Sequence, residues 1–372
     1  MPEDAPLSPA DLDHLEWARK IARRGWGQVH PNPMVGCVLV RDDSIVGEGY
    51  HQLFGGPHAE IVALERAKSH AEGATAYVSL EPCTHHGKTP PCVEALIQAG
   101  VVRVVFGAGD PGPESGGGGE TLRAAGVDVQ GPVWEDRIGR AENPEFFHTS
   151  RHDTPFLALK LAMSLDARIA ARPGVRTQIT GVDAEREVHL LRTGFDAVMV
   201  GAGTMRTDDS RLVPRMVASG RTMPRRIILL PNAELPEDAS IFEDIEVAPL
   251  HLFVREDAAD AAIEELEQGG AHVHAVPTTP VGLDLDSVLD VSWELGIRSI
   301  LCEGGARLAA TLLREERVHR LYLFVAPLTL GVDAMSAFPE DAQGLAWNVF
   351  EPAFEPELHG RDTLIVLDRQ EN

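Results

Sequence analysis

Two α/β domains in series are what this sequence predicts, and three observations lead there. At 372 residues the chain exceeds what one hydrophobic core ordinarily holds. Apolar, strand-like runs alternate with helical runs through the first half, and a new apolar strand restarts the pattern in the second, as in α/β proteins. Between them the polar stretch His148–Thr154 (HTSRHDT) reads as a linker, so domains 1–150 and 151–372 are expected.

The elements follow in order. Ser8-Pro9 opens a helix that runs to about Arg24, with a capping serine and a proline suited to the first turn. Val35–Arg41 and Ile45–Gly49 form a hairpin around Asp42-Asp43-Ser44. His58 starts a helical run (HAEIVALERAKSH), and Ala74–Leu80 is a strand. Pro90-Pro91 precedes a helix beginning at Cys92, followed by a strand at Val101–Phe106 and a short helix near Thr121–Ala125. Gly112–Gly119 (GPESGGGG) reads as a flexible surface loop; no G-x-G-x-x-G follows a strand there to suggest a phosphate cradle.

The second half begins with the apolar strand Phe156–Met163. Helices fit Asp183–Arg192, Ala258–Gln268, Leu285–Glu294 and Arg307–Arg314. Strands fit Ala197–Gly201, Arg226–Leu230, His251–Val254, Ser299–Cys302, Leu321–Ala326 and Leu364–Leu367. Gly304-Gly305, between a strand and a helix, would let the backbone approach a phosphate, or would make a plain tight turn.

Composition narrows the function. A net charge of -24 argues against a large basic surface for nucleic acid. No run approaches the roughly 18 apolar residues of a membrane span. The acidic N-terminus lacks a signal-peptide pattern, and four cysteines do not make a disulfide framework, so a cytoplasmic location is expected. Cys37 and Cys302 lie in apolar stretches and read as core. Only four cations are lysine, against 29 arginines; Lys88 and Lys160 fall at positions that suggest a need for a compact ammonium.

The chemistry is carried by His58-Ala59-Glu60 and by Pro82-Cys83 followed eight residues later by Cys92. One imidazole and two thiolates are a catalytic zinc ligand set, which keeps an open position for water. Glu60 is near enough to handle protons without ligating the metal, the division of labour of zinc-dependent base deaminases. A structural zinc site short of its fourth ligand, or unrelated buried thiols, are the bland alternatives. Both ligand stretches would sit at helix N-termini, whose polarity favours thiolate at Cys92.

With these motifs in view, the chain resembles the bifunctional riboflavin-biosynthesis deaminase–reductases. Pro31-Asn32-Pro33-Met34-Val35-Gly36, His51, His58-Ala59-Glu60 and the run Glu81 to Cys92 match the deaminase half, as does Asp110-Pro111. Lys160 to Asp166, Asp208-Asp209, Leu212, Arg215 and Glu303-Gly304-Gly305 match the reductase half. The resemblance implies a cytidine-deaminase-like α/β/α three-layer domain followed by a dihydrofolate-reductase-like domain. It implies one zinc ion per chain on His58, Cys83 and Cys92, with Glu60 catalytic, and NADPH in the second half. It implies deamination of a diamino-pyrimidinone bearing a phosphoribosylamino group, then reduction of the ribosyl group to ribityl. Asn32 and His51 would contact that phosphorylated pyrimidine, and His85 and Lys88 would hold its phosphate. NADPH would lie near Gln178, Thr180, Thr204, Asp208, Gly304 and Gly305. Arg176, Arg192, Leu212, Arg215 and Glu303 would meet the reductase substrate, with Arg192 and Arg215 as phosphate clamps; the alternative for Arg192 is a solvated helix face. A homo-oligomer is also implied.

The chain departs from the family pattern in the reductase half. Gln178 stands where tryptophan is usual, Arg176 where serine is, Ser210 where proline follows the paired aspartates, and Ala167 where glycine is. A deaminase with a re-purposed second half is therefore a competing reading. A nucleic-acid base deaminase is disfavoured by the charge, and a non-enzymatic zinc module predicts that Glu60 is dispensable.

Overall fold

The computed structural model describes residues 6–85, 90–113, 115–217, 223–236, 238–338 and 350–370. The chain divides into two compact units, Met1–Arg151 and His152–Asn372.

The first unit is built on a five-stranded sheet of order β2-β1-β3-β4-β5. Its strands are β1 (Gly36–Arg41), β2 (Ser44–Tyr50), β3 (Thr75–Leu80), β4 (Arg103–Ala108) and β5 (Asp128–Gln130). β1 runs antiparallel to β2 and β3, and β3, β4 and β5 are parallel. Asp42 and Asp43 both have positive φ, the geometry of the two-residue hairpin turn that suits strand twist.

The central strands β1, β3 and β4 are apolar on both faces because both are covered. Cys37 and Leu39 of β1, Val78 of β3 and Val104 of β4 pack with α2 (Ala59–Ala67), α3 (Cys92–Gln98) and α4 (Gly118–Ala124). Val38, Val40, Tyr77 and Val105 point the other way, onto Leu15, Ala18 and Ile21 of α1 (Pro9–Ala22). The period of two along each strand thus yields the three-layer α/β/α arrangement. Ser8 caps α1 reciprocally with Asp11. Two short helices, α5 (Asp136–Glu142) and α6 (Pro144–Thr149), close the unit; α6 occupies the start of the stretch expected to be a linker.

The second unit carries a ten-stranded sheet. Its main path runs His272–Val276, Leu250–Arg255, Arg225–Leu229, Ala197–Gly201, Ser299–Cys302, Phe156–Ser164, Arg320–Ala326, Asp362–Arg369 and Phe350–Pro352. The strands as far as Arg320–Ala326 pair in parallel; the next two are antiparallel. The chain moves outward from Ala197–Gly201 to His272–Val276, then returns to insert Ser299–Cys302 beside its first strand. That reversal opens a crevice at the carboxyl ends of the central strands, where α/β sheets bind ligands. Leu157, Leu159, Met199, Ile227 and Ile300 fill one face, and Val198, Val200, Ile228 and Leu252 the other.

Candidate active sites

In the first unit β3 delivers Glu81-Pro82-Cys83 at its carboxyl end. Cys92 is the first residue of α3, behind the Pro91 cap, and His58 caps α2 in extended conformation. The metal-ligating atoms of His58, Cys83 and Cys92 all lie within 4.8 Å of one another. His58 Nδ1 is 3.2 Å from Cys92 Sγ and 3.5 Å from Cys83 Sγ. A tetrahedral zinc ion needs about 3.6 Å between nitrogen and sulfur donors, so the triangle fits the ion.

With no metal present the two sulfurs share one proton, and it sits on Cys92 rather than leaving the thiolate that the helix N-terminus was expected to favour, because the hydrogen bond to Cys83, burial and the Cys83 charge outweigh the helix polarity. The Cys92 thiol donates toward the Cys83 sulfur, which holds Cys83 low, with His58 assisting. That proton and burial push Cys92 far up. Two buried sulfurs and an imidazole within 4.8 Å of one another form the donor set a thiophilic cation takes. Glu60, in the first turn of α2, is 3 % exposed. Burial pushes its carboxyl up to about 7, the Cys83 charge adds to this, and His58 opposes it.

Beside the triangle, the His51 ring stands edge-on to His58 with centroids 5.5 Å apart. Its Nδ1 is 3.0 Å from the Pro57 carbonyl, which fixes the proton there and leaves Nε2 to accept from Asn32 Nδ2 at 3.2 Å. Burial lowers the His51 pKa, consistent with that neutral tautomer. His85 is exposed, and Lys88 lies outside the described residues.

The supposedly flexible glycine loop is fastened to this site. Glu81 accepts from the Gly119 amide at 2.8 Å and the Asp110 amide at 3.2 Å. Asp110 accepts from Gly112 N and Ser115 Oγ, both at 2.8 Å. Thr84 donates to the Gly116 carbonyl at 3.1 Å. The described glycines at both ends of the loop are thus hydrogen-bonded to side chains of the site segment.

The second unit has a cleft of about 730 Å³ at its crevice, in the range of roughly 300–1,000 Å³ usual for cofactor pockets. Lys160, Arg176, Thr204, Asp208 and Glu303 line it, with Gly304 and Gly305. Both glycines have positive φ, 72° and 77°, and Gly305 caps helix Ala306–Arg314. A Cβ on Gly305 would stand 3.0 Å from Thr204 Oγ1, so bare backbone faces the cleft there. Thr204 Oγ1 donates to the Gly304 carbonyl at 3.1 Å. Apolar walls, a polar end and a glycine-bared helix start suit a dinucleotide.

Arg192 is buried rather than on a solvated face. Its Nε and Nη2 meet the two Glu303 oxygens at 2.5 and 3.0 Å. Lys160 Nζ lies 3.9 Å from Glu303. Burial raises the Glu303 carboxyl, but Arg192 and Lys160 outweigh it and hold it at about 2. Burial lowers Lys160 and raises Asp208, the latter countered by Arg176 and Lys160. Asp166 is structural: it accepts from Ser164 Oγ at 2.5 Å and from the Gly331 amide at 2.8 Å.

Comparison with known proteins decides the family. The model of the RibD C-terminal domain matches residues 155–349, and that of the cytidine and deoxycytidylate deaminase zinc-binding region matches 9–108. The riboflavin biosynthesis protein RibD of Escherichia coli (strain K12) is 39 % identical over 332 residues, 87 % of this chain and 89 % of that protein. RibD of Aquifex aeolicus is 38 % identical over 322 residues, 86 % and 88 % of the two chains. The chain belongs to the RibD family. Among solved structures, Acinetobacter baumannii RibD superposes with TM-score 0.79 at 33 % identity, covering 97 % of this chain and 99 % of that one. A Thermotoga maritima diaminohydroxyphosphoribosylaminopyrimidine deaminase/5-amino-6-(5-phosphoribosylamino)uracil reductase gives 0.78 at 31 %, with the same coverage. RibD-family membership makes the protein a bifunctional deaminase and reductase of riboflavin biosynthesis, acting on a small molecule with zinc and NADPH as cofactors.

Against that background the residues sort themselves. His58, Glu60, Cys83, Cys92, His51 and Asn32 converge in the first unit. Thr204, Asp208, Gly304, Gly305, Arg176 and Glu303 converge in the second. Gln178 and Thr180 are not among the cleft-lining residues; Gln178 Nε2 donates to the Thr180 carbonyl at 2.9 Å. Leu212 is core, 2 % exposed. Arg215 is exposed, and its amide donates to His189 Nδ1 at 3.1 Å. Sequence reasoning missed His189, which is buried among Arg192, Arg215 and Glu303. Its place three residues before Arg192 on one helix face was the available signal. It also missed Glu81 and Asp110 as fasteners, because their partners are backbone amides.

Proposed function

We propose that the first half hydrolyses 2,5-diamino-6-(5-phosphoribosylamino)pyrimidin-4(3H)-one to the corresponding uracil and ammonia. The second half then reduces the ribosyl group of that product to ribityl. The observation that carries this is the His58–Cys83–Cys92 triangle beside a buried Glu60. Zinc, when bound there, supplies water activated at neutral pH. With the metal in place, Glu60 would move two protons in turn, one from the attacking water to a ring nitrogen, where it stays, and one from the resulting hydroxyl to the amine, which leaves as ammonia; burial raises its carboxyl, which favours the protonated form needed to donate. The His51 ring, locked by Pro57, holds the Asn32 amide in one orientation, leaving the Asn32 carbonyl oxygen for the substrate ring. His85 and Lys88 are the phosphate contacts in this reading.

In the reductase half, NADPH supplies hydride to the ribosyl carbon. Gly304, Gly305, Thr204 and Asp208 hold the cofactor, with Gln178 and Thr180 at its margin. Lys160, Glu303 and Arg176 meet the sugar end of the substrate. Arg192 is occupied by Glu303 and acts by fixing that carboxylate rather than as a free clamp. Arg215, exposed, keeps its guanidinium for the substrate phosphate. Leu212 contributes packing. We place the enzyme in the cytoplasm as a homo-oligomer; four free cysteines support the compartment, and light scattering tests the assembly.

A coupled assay on zinc-loaded protein tests the whole reading. With the phosphoribosylamino-diaminopyrimidinone and NADPH supplied, ammonia release is followed by matching NADPH oxidation. Ammonia without NADPH loss would leave the second half without this substrate.

A further inference from the structure

The cleft of the reductase half carries cations that its own carboxylates do not answer. In a chain of net charge -24, Arg176, Arg206 and Arg307 all stand on its wall. Several arginines of this half away from the cleft wall are committed, Arg192 to Glu303, Arg211 to Glu243 and Asp244, Arg317 to Asp286 and Arg320 to Asp368. Arg176 interacts with Asp208, which also senses Lys160 and Glu303, so it belongs to the end where reduction occurs. The guanidinium groups of Arg206 and Arg307 have no hydrogen-bond or ion-pair partner among the described residues. Carboxylates are abundant in this protein, so two unanswered guanidinium groups on one cleft wall fit a ligand's anionic groups.

The two arginines occupy different stations. Arg307 is in the first turn of helix Ala306–Arg314, just past Gly304-Gly305. The helix dipole disfavours a cation there, unless an anion shares the position. Arg206 is in the last turn of helix Ala202–Asp208, which packs on strand Arg225–Leu229. The continuation of that strand, Leu230-Pro231-Asn232, forms the cleft wall together with Val281 and Leu283. This wall is largely apolar and suits a flat adenine ring. A dinucleotide with its redox ring near Lys160 and Asp208, and its diphosphate at Gly304-Gly305, brings its adenosine toward Leu230 and Arg206.

We propose that Arg206 binds the 2′-phosphate of the adenosine ribose and so makes this reductase select NADPH over NADH. Arg307 neutralises the diphosphate that the two cofactors share. The inference rests on the NADPH-dependent reductase assignment. An arginine fork near the ribose is a general way to accommodate that extra phosphate.

Equilibrium binding of NADPH and of NADH to the full zinc-loaded chain, read by calorimetry, tests it. Arg206→Gln weakens NADPH about 10–100-fold and leaves NADH within about twofold. Arg307→Gln weakens both in similar proportion. Arg206→Lys, which keeps the charge without the fork, retains part of the selectivity. Unchanged NADH binding doubles as the check that the variant cleft is folded. An NADPH-to-NADH affinity ratio unaltered by Arg206→Gln overturns the proposal. Wild-type protein that binds neither nucleotide overturns the reductase assignment itself.

Discussion

Glu60 and the buried histidines show how single residues set the behaviour of this enzyme. Replacing Glu60 with glutamine keeps the size and removes the proton acceptor. Deamination falls by about 10²–10⁴-fold or more, while zinc content, measured by metal analysis, stays near one per chain. Substantial ammonia release from Glu60→Gln would remove Glu60 from its role. His189 and His251 behave differently. Burial lowers both to about 4; Arg192 and Arg215 add to the effect at His189, and His274, His272 and Arg225 at His251. His251 Nδ1 is 3.0 Å from His274 Nε2, and its ring stacks on those of His272 and His274. A histidine depressed in the folded state binds its proton in the unfolded state first. Stability from these groups is therefore complete above about pH 6.5 and is lost as pH falls toward 4. Urea midpoints between pH 7 and 4.5 should fall, and less steeply in His251→Leu. An unchanged slope in that variant would show that His251 does not contribute.

At the scale of elements, the turns hold the sites. Gly118 begins α4 so close to the Cys83 segment that a Cβ there would stand 1.8 Å from the Pro82 carbonyl oxygen. Gly118→Ala must push the Pro82-Cys83 backbone away, costing about 1–3 kcal/mol and lowering zinc occupancy. A variant with full zinc and an unchanged melting temperature would contradict this. Ala167 has φ of 55°, in the left-handed region. Relief of that strain exceeds the entropy glycine adds to the unfolded chain, so Ala167→Gly stabilises by roughly 0.5–1 kcal/mol. A lower melting temperature for Ala167→Gly would refute the strain. Most helices and strands were legible from their apolar patterns, a helical period in Leu285–Glu294 and a short, wholly buried run in Ser299–Cys302. The strand His272–Val276 was not, because it sits at the sheet edge and is only partly buried.

At the scale of the whole molecule, two units with separate cores carry two cofactors. Chelation should therefore affect one half only. Removing zinc with dipicolinate abolishes ammonia release and lowers the stability of the first unit, because the site's thiolates lose their counter-charge. NADPH binding, measured by fluorescence, persists. Loss of NADPH affinity on chelation would mean that the halves are energetically linked.

The sequence by itself determined the zinc chemistry, the order of most elements and the presence of two α/β units. Those properties are local: a ligand motif, a proline before a helix and an apolar period are written in consecutive residues. Only the tertiary structure decided that Arg192 spends its fork on Glu303, that Leu212 is core, and that the glycine loop is fastened by Glu81 and Asp110. Each of these depends on a partner far along the chain. Arg192 and Glu303 are 111 residues apart. Chain reversal between parallel strands, not the character of either residue, brings them within hydrogen-bonding distance.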